Sequence, residues 1–245
     1  MLDFIIVPFT NALIFIYSVL GENFGLAIIV FTILVRVATY PFTASQLKSS
    51  RAMQEMQKSK KWEQIQKKYK NDREKLSQEQ MKLYQEMGVN PLGSCLPTII
   101  QFPIIIGLYW SVTRALAATP IELLNFLRGI GLSNIADLIP LNSQFLWMDL
   151  AQPERLHLDF LPVGIPVLAI IVMITSYYQS KMMSPTAGAT GQGAQMSGMM
   201  NIYMPLLMGY ISYIYSAGLA LYFVTGNIVS MLQYWFIGRR NNESK

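Results

Sequence analysis

Residues 31–41 read FTILVRVATYP, an apolar run with a permanent cation, Arg36, at its centre. An arginine at the middle of a membrane helix is unfavourable by roughly 2.5–3.5 kcal/mol on an insertion scale, so its presence there calls for a compensating environment. Further polar side chains recur in the other apolar runs: Gln101, Gln179, and the series Thr225, Asn227 and Gln233. Thr32 stands one helical turn before Arg36, on the same face. Singly, such amides and hydroxyls are the groups with which membrane helices hydrogen-bond one another. Together with a cation they outline a polar cavity in the bilayer, open to water on one side and able to attract anionic groups. Arg36 also admits a plainer reading, in which its stem follows the helix and its head reaches the headgroups. The span end near Phe42 would be ~9 Å away.

Covalent chemistry finds little support. His157 is the lone histidine and no H-E-x-x-H pattern occurs, which removes the ligand pair of a zinc protease. No apolar run carries an internal Asp, so an aspartyl intramembrane protease has no dyad. A serine nucleophile would want a base beside it and has none. Neither a Walker A loop nor another Gly-rich nucleotide loop is present. Cys95 is the only cysteine, so no intrachain disulfide can form, and it reads as a small buried hydrophobe. The expectation is a protein that is not an enzyme, without cofactor or metal.

The elements that must position these residues are long and apolar. Of 245 residues, 52% are hydrophobic and 13% charged, with mean hydropathy +0.33. Crossing the hydrocarbon core takes ~20 apolar residues, because ~30 Å is covered at ~1.5 Å per residue. Blocks of that kind lie at 24–42, 93–116 and 159–181. The block from Met199 to Ile237 would reach ~58 Å as one helix. Ser216-Ala217-Gly218 offers a turn that divides it into 199–215 and 217–238. The predicted fold class is an all-α integral membrane protein with five transmembrane helices. Residues 1–23 are apolar but carry Pro8 and polar groups, and no basic residue precedes Arg36. They read as an interfacial helix on the outer face, not as a signal peptide. Trp110, Tyr177, Tyr178 and Trp235 suit anchoring at the membrane interfaces. Pro91, Pro97 and Pro103 should distort the inner half of the second span, and Gly209, Gly218 and Gly226 should thin the last hairpin.

Charge sets the orientation. Segment 43–92 holds 11 of the 19 Lys and Arg residues, which marks it as cytoplasmic. Loop 117–158 then lies outside, with Arg128 and Arg155 against Glu122, Asp137, Asp149, Glu154 and the flanking Asp159. Residues 182–198 become a flexible cytoplasmic loop and 239–245 a cytoplasmic tail, with the N-terminus outside. Within 43–92, Trp62, Ile65 and Tyr69 recur at helical spacing, as do Leu76, Leu83 and Met87 beyond the KNDR turn. A charged antiparallel helical hairpin fits this pattern. It is either a solvated face or a surface for anionic lipid or ribosomal RNA, without base-specific reading of nucleic acid.

Four strings carry a family resemblance: VRVATYPFTASQLKSSRAM at 35–53, NPLGSCLPTIIQFPIIIGLYW at 90–110, QSKMMSP at 179–185 and AGLALYFVTGNIVSMLQYWF at 217–236. In these, and over nearly its whole length, the chain resembles the YidC/Oxa/Alb family of membrane protein insertases. The resemblance implies a five-span core with a cytoplasmic hairpin in the plasma or inner membrane. Arg36 falls on the family's arginine of the substrate slot and Thr32 on a position lining it. Tyr222 and Phe223 fall on an aromatic pair expected to meet substrate; Phe223 departs by lacking a polar tip. The implied clients are nascent membrane proteins, and the implied partners are the ribosome, the Sec translocon and membrane lipid, around a chain that could act as a monomer. The large periplasmic domain and long basic tail of many members have no counterpart here, and the numbered chain reads as a truncated or mature form. The implied mechanism draws acidic client segments to Arg36 and releases the apolar segment into lipid. Two other readings remain: a small transporter or channel with Arg36 as an anion site, and a receptor that recruits ribosomes through 43–92 without translocating anything.

Overall fold

The computed structural model describes residues 3–69, 72–88, 96–115, 141–156, 164–183 and 192–243. His157, Cys95, Pro91, Arg128, Glu122, Asp137 and Asp159 lie outside these residues, as do 117–140 and 184–191 of the two loops. The helices run in the order α1 (Asp3–Val19), α2 (Phe24–Ala38), α3 (Tyr40–Gln57), α4 (Lys60–Lys68), α5 (Arg73–Glu86), α6 (Leu96–Ala115), α7 (Val167–Met183), α8 (Gln192–Ile214) and α9 (Ala217–Glu243). One small hairpin, β1 (Gln144–Phe145) with β2 (Met148–Asp149), stands between α6 and α7.

The core forms where α1, α2, α6, α7 and α9 meet. Leu13 and Tyr17 of α1, Phe24 and Ile28 of α2, Leu108 of α6 and Val172 of α7 are all fully buried there. The outward faces stay apolar: Leu34, Ile174, Leu206 and Leu232 are about half exposed. An apolar band of this extent is a liability in water and is satisfied by lipid. Among the described residues, Ala217–Arg239 is long and apolar enough to cross a membrane, and a second span results if α2 and α3 count as one. α2 and α3 meet at 61°, because Pro41 in the first turn of α3 cannot donate to the preceding helix and its ring clashes with it. Ile6–Val19 of α1 and Val167–Met183 are apolar but shorter.

Non-helical backbone seals one end of the bundle. The first amides of α9 have no partner within their own helix, and Ala217 and Gly218 donate instead to the carbonyls of Gln152 (2.7 Å) and Leu150 (3.1 Å). Glu154 does the same for α7, accepting from the Leu168 amide at 3.0 Å while its other oxygen accepts from Trp147 Nε1 at 3.1 Å. Phe145 lies on Gly25, where a side chain would collide with the ring.

At the other end, two stretches differ from expectation. The first arm of the charged segment is broken into α3 and α4, because the Ser59 side chain accepts from the Trp62 amide and starts a new helix. α8 already begins at Gln192, inside the stretch expected to be a flexible loop, in keeping with the helix preference of Gln, Ala and Met there. α4 and α5 pack on the end of α3 in a small core of Met56 (α3), Trp62 (α4) and Leu83 (α5). The body of α3 is tied to the bundle. Its Ser50 and Gln54 side chains donate to the Met183 carbonyl at the end of α7, at 2.8 and 3.1 Å.

Candidate functional site

Arg36 sits in the last turn of α2, a helix opened by Asn23, whose side chain accepts from the Leu26 amide. It is half-buried and lines a pocket of about 50 Å³ together with Thr39, Thr43 and Gln46 of the α2–α3 bend, Gln101 of α6, and Tyr222 and Tyr234 of α9. Phe42, Val35 and Ile104 complete the lining. A polar space of this size holds a few waters. Gln101 Nε2 donates to the Tyr222 hydroxyl, which joins α6 to α9 across the pocket. Gln233 Nε2 donates to the Arg36 carbonyl at 2.9 Å, so α9 also grips the end of α2 by its backbone. Tyr234 donates to the Met183 sulfur at 2.9 Å, which brings in α7.

Electrostatically, Arg36 is uncompensated: among the described residues no carboxylate pairs with it. Lysines of the charged segment do find acids, as in Lys61–Glu86 (3.4 Å), Lys67–Glu63 (2.6 Å) and Lys82–Glu79 (2.6 Å). A guanidinium held in a polar pocket without a counter-ion is an electrostatic trap for an incoming carboxylate. Reduced dielectric strengthens that attraction from ~1 toward ~4 kcal/mol at 4 Å.

The remaining sequence candidates divide by neighbourhood. Phe223 is buried beside Tyr222, ring centroids 5.7 Å apart. Thr32 is fully buried and its hydroxyl donates to the Ile28 carbonyl of its own helix at 2.6 Å, so it does not reach the pocket. Asn227 Nδ2 donates to Thr175 Oγ1 (3.0 Å) and Ser176 Oγ (2.8 Å), and so it fastens α9 to α7. Gln179 and Thr225 are half-buried and stand apart from the pocket lining. Thr39, Thr43 and Gln46 were not singled out in the sequence, although their i, i+4, i+7 spacing puts them on one helical face. A span boundary drawn at 42 cut that face in two.

Apolar helices with lipid-suited outer faces around a polar, cationic recess define an α-helical integral membrane protein. Residues 15–244 match the family model described as "60Kd inner membrane protein". The chain belongs to that family, the YidC family. It is 35% identical over 229 residues to the membrane protein insertase YidC of Oceanobacillus iheyensis, covering 91% of this chain and 77% of that one. With the YidC insertase of Fusobacterium nucleatum subsp. nucleatum it shares 35% identity over 218 residues, 89% of this chain and 87% of the relative. With the membrane protein insertase MisCA of Bacillus subtilis the figures are 32% over 238 residues, 96% and 77%. The fold is similar to a crystal structure of an active YidC insertase with its first transmembrane domain resolved, at TM-score 0.58 and 26% identity. That match covers 90% of this chain and spans 43% of the solved one.

Proposed function

We propose that this chain is a membrane protein insertase, which takes polar segments of nascent membrane proteins into the Arg36 pocket and releases their apolar segments into lipid. The observation that carries the reading is the unpaired Arg36 in a polar recess at the meeting of α2, α6 and α9, in a chain whose relatives bear the name insertase. The client's carboxylates supply the charge that the fold leaves out. Hydrophobic partitioning then moves the apolar segment outward, and the reading calls on no nucleotide, cofactor or covalent step.

In this reading α2, α6, α7, α8 and α9 are the five spans, and α1 lies at the outer interface. α2 has 15 residues and α7 has 17, ~22 and ~26 Å at 1.5 Å per residue, both short of the ~30 Å hydrocarbon core. Short spans thin the bilayer locally, at a modest cost per ångström. The path for a client's polar groups is correspondingly shorter. α3–α5 face the cytoplasm, where ribosome, Sec translocon and anionic headgroups are the fitting partners.

The test is rescue. A bacterium depleted of its own insertase should resume growth and membrane insertion when this chain is supplied. Failure to rescue, with the chain present in the membrane and passing small anions across vesicles, would support a transporter instead.

A further inference from the structure

Among the described residues no side chain is bonded to the guanidinium of Arg36, which lies against the bare backbone of Gly226. A Cβ built at Gly226 of α9 would stand 2.8 Å from Arg36 Nη2, 3.3 Å from Nε and 3.5 Å from Cζ. Gly226 is buried, between Thr225, which is half-buried, and Asn227, which is committed to α7. Its carbonyl accepts from the Ser230 hydroxyl at 2.7 Å, which ties that stretch of α9 to itself. The Arg36 carbonyl is fixed about two helical turns further along α9 by Gln233. Side-chain head and main-chain carbonyl of one arginine are thus both registered against α9, at Gly226 and Gln233.

We propose that Gly226 is the seat of the Arg36 guanidinium: a positioning residue that, by having no side chain, lets the fork lie on α9 and turns its charge to the pocket. This rests on the insertase reading above and deepens it. The methyl of an alanine would occupy the place of the guanidinium. Arg36 is the flexible partner of that contact, so its head is displaced while the helices keep their packing. The sequence gives no direct sign of this role, since Gly226 there reads as a helix-loosening glycine.

The test uses the purified full chain in vesicles and two versions of one single-span client, one with acidic residues in its translocated tail and one with those residues neutralised. Gly226→Ala should lower insertion of the acidic client several-fold and leave the neutral client within twofold of wild type. In an Arg36→Ala background the same substitution should change nothing further, because no guanidinium remains to displace. Equal loss of both clients, with or without Arg36, would mean that Gly226 serves helix packing only and overturns the inference; so would wild-type insertion of both. Should Gly226→Ala fail to accumulate, Gly226→Ala combined with Arg36→Lys decides. A slim ammonium clears the methyl, so accumulation and acidic-client insertion should recover, and absence of recovery counts against the seat. Arg36→Ala alone separates the two layers. If it leaves the acidic client untouched, the insertase reading of the pocket fails. If it is selective while Gly226→Ala is silent, only the seat is lost.

Discussion

At the scale of residues, polar groups in the apolar helices serve two ends, and their partners tell which. Asn227 spends its hydrogen bonds on helix packing and Thr32 spends its own on the backbone of α2, whereas Arg36, Gln101 and Tyr222 open on one pocket. Asn227→Ala should therefore loosen α9 from α7 by about 1 kcal/mol, given that interhelical bonds in membranes average about 0.6 kcal/mol each. Thermal unfolding in detergent should register that loss, while the preference for acidic over neutral clients stays as in the wild type. A changed preference with unchanged stability would place Asn227 in the pocket after all. The sequence distinguishes polar from apolar but not inward from sideways. Asn227 and Gln233 of one helix reach different partners, on α7 and α2, and a one-residue difference in position is ~100° around the axis.

Among elements, the charged segment divides in two. α3 is anchored by Ser50 and Gln54 to the end of α7, and its Arg51 approaches α9 at Gly238. α4 and α5 depend on Trp62 and Leu83 packed on Met56 at the end of α3, with Trp62 and Tyr84 edge to face at 6.1 Å. Truncating the buried Trp62 to Ala should destabilise this pair by about 3 kcal/mol, the lower end for a buried aromatic. Hydrogen exchange should rise in α4 and α5 and stay unchanged in α2, α7 and α9; a rise spread through all of them would refute the division. α5 also carries a pH-dependent cap. The Asp72 side chain accepts from the Lys75 amide at 3.1 Å. That bond, followed by the Lys75 side chain, holds its carboxyl below the ordinary value of 3.8. A folded-state value that is lowered contributes stability in full above the unfolded value, and loses it as pH falls through the folded one. Helicity of α5 should thus hold from neutral pH down to about 4 and fall below that. Asp72→Asn, an equally good cap without the charge, should flatten the fall. The apolar spacing of Trp62, Ile65 and Leu83 made this pair legible in the sequence. The break at Ser59 was not, because lysines on both sides continue the charged pattern across it.

For the whole molecule, cationic side chains stand near the C-termini of three helices. α2 ends on Arg36. Lys181, in the last turn of α7, lies over the Tyr177 ring at 5.9 Å, and Arg239, about one turn before the end of α9, lies over Trp235 at 5.7 Å. Cations at helix C-termini complement the helix dipole, and a cationic face beside α3–α5 fits the proposed cytoplasmic orientation. Length and hydropathy made the apolar helices legible, and four strings made the family legible. The bend at Pro41, the Glu154 cap on α7, the backbone caps on α9 and the contact of Arg36 with Gly226 were not, since each joins residues distant in the chain or depends on backbone direction. The central claim is that an uncompensated cation receives the client's carboxylates. The direct measurement is insertion into vesicles holding only the purified chain, comparing an acidic client with its neutralised version across wild type, Arg36→Ala, Arg36→Lys and Arg36→Glu. The account predicts about a tenfold loss for the acidic client in Arg36→Ala, equivalent to ~1.4 kcal/mol, near-wild-type insertion in Arg36→Lys, the greatest loss in Arg36→Glu, and little change for the neutral client. Wild-type insertion of the acidic client by Arg36→Ala would contradict it.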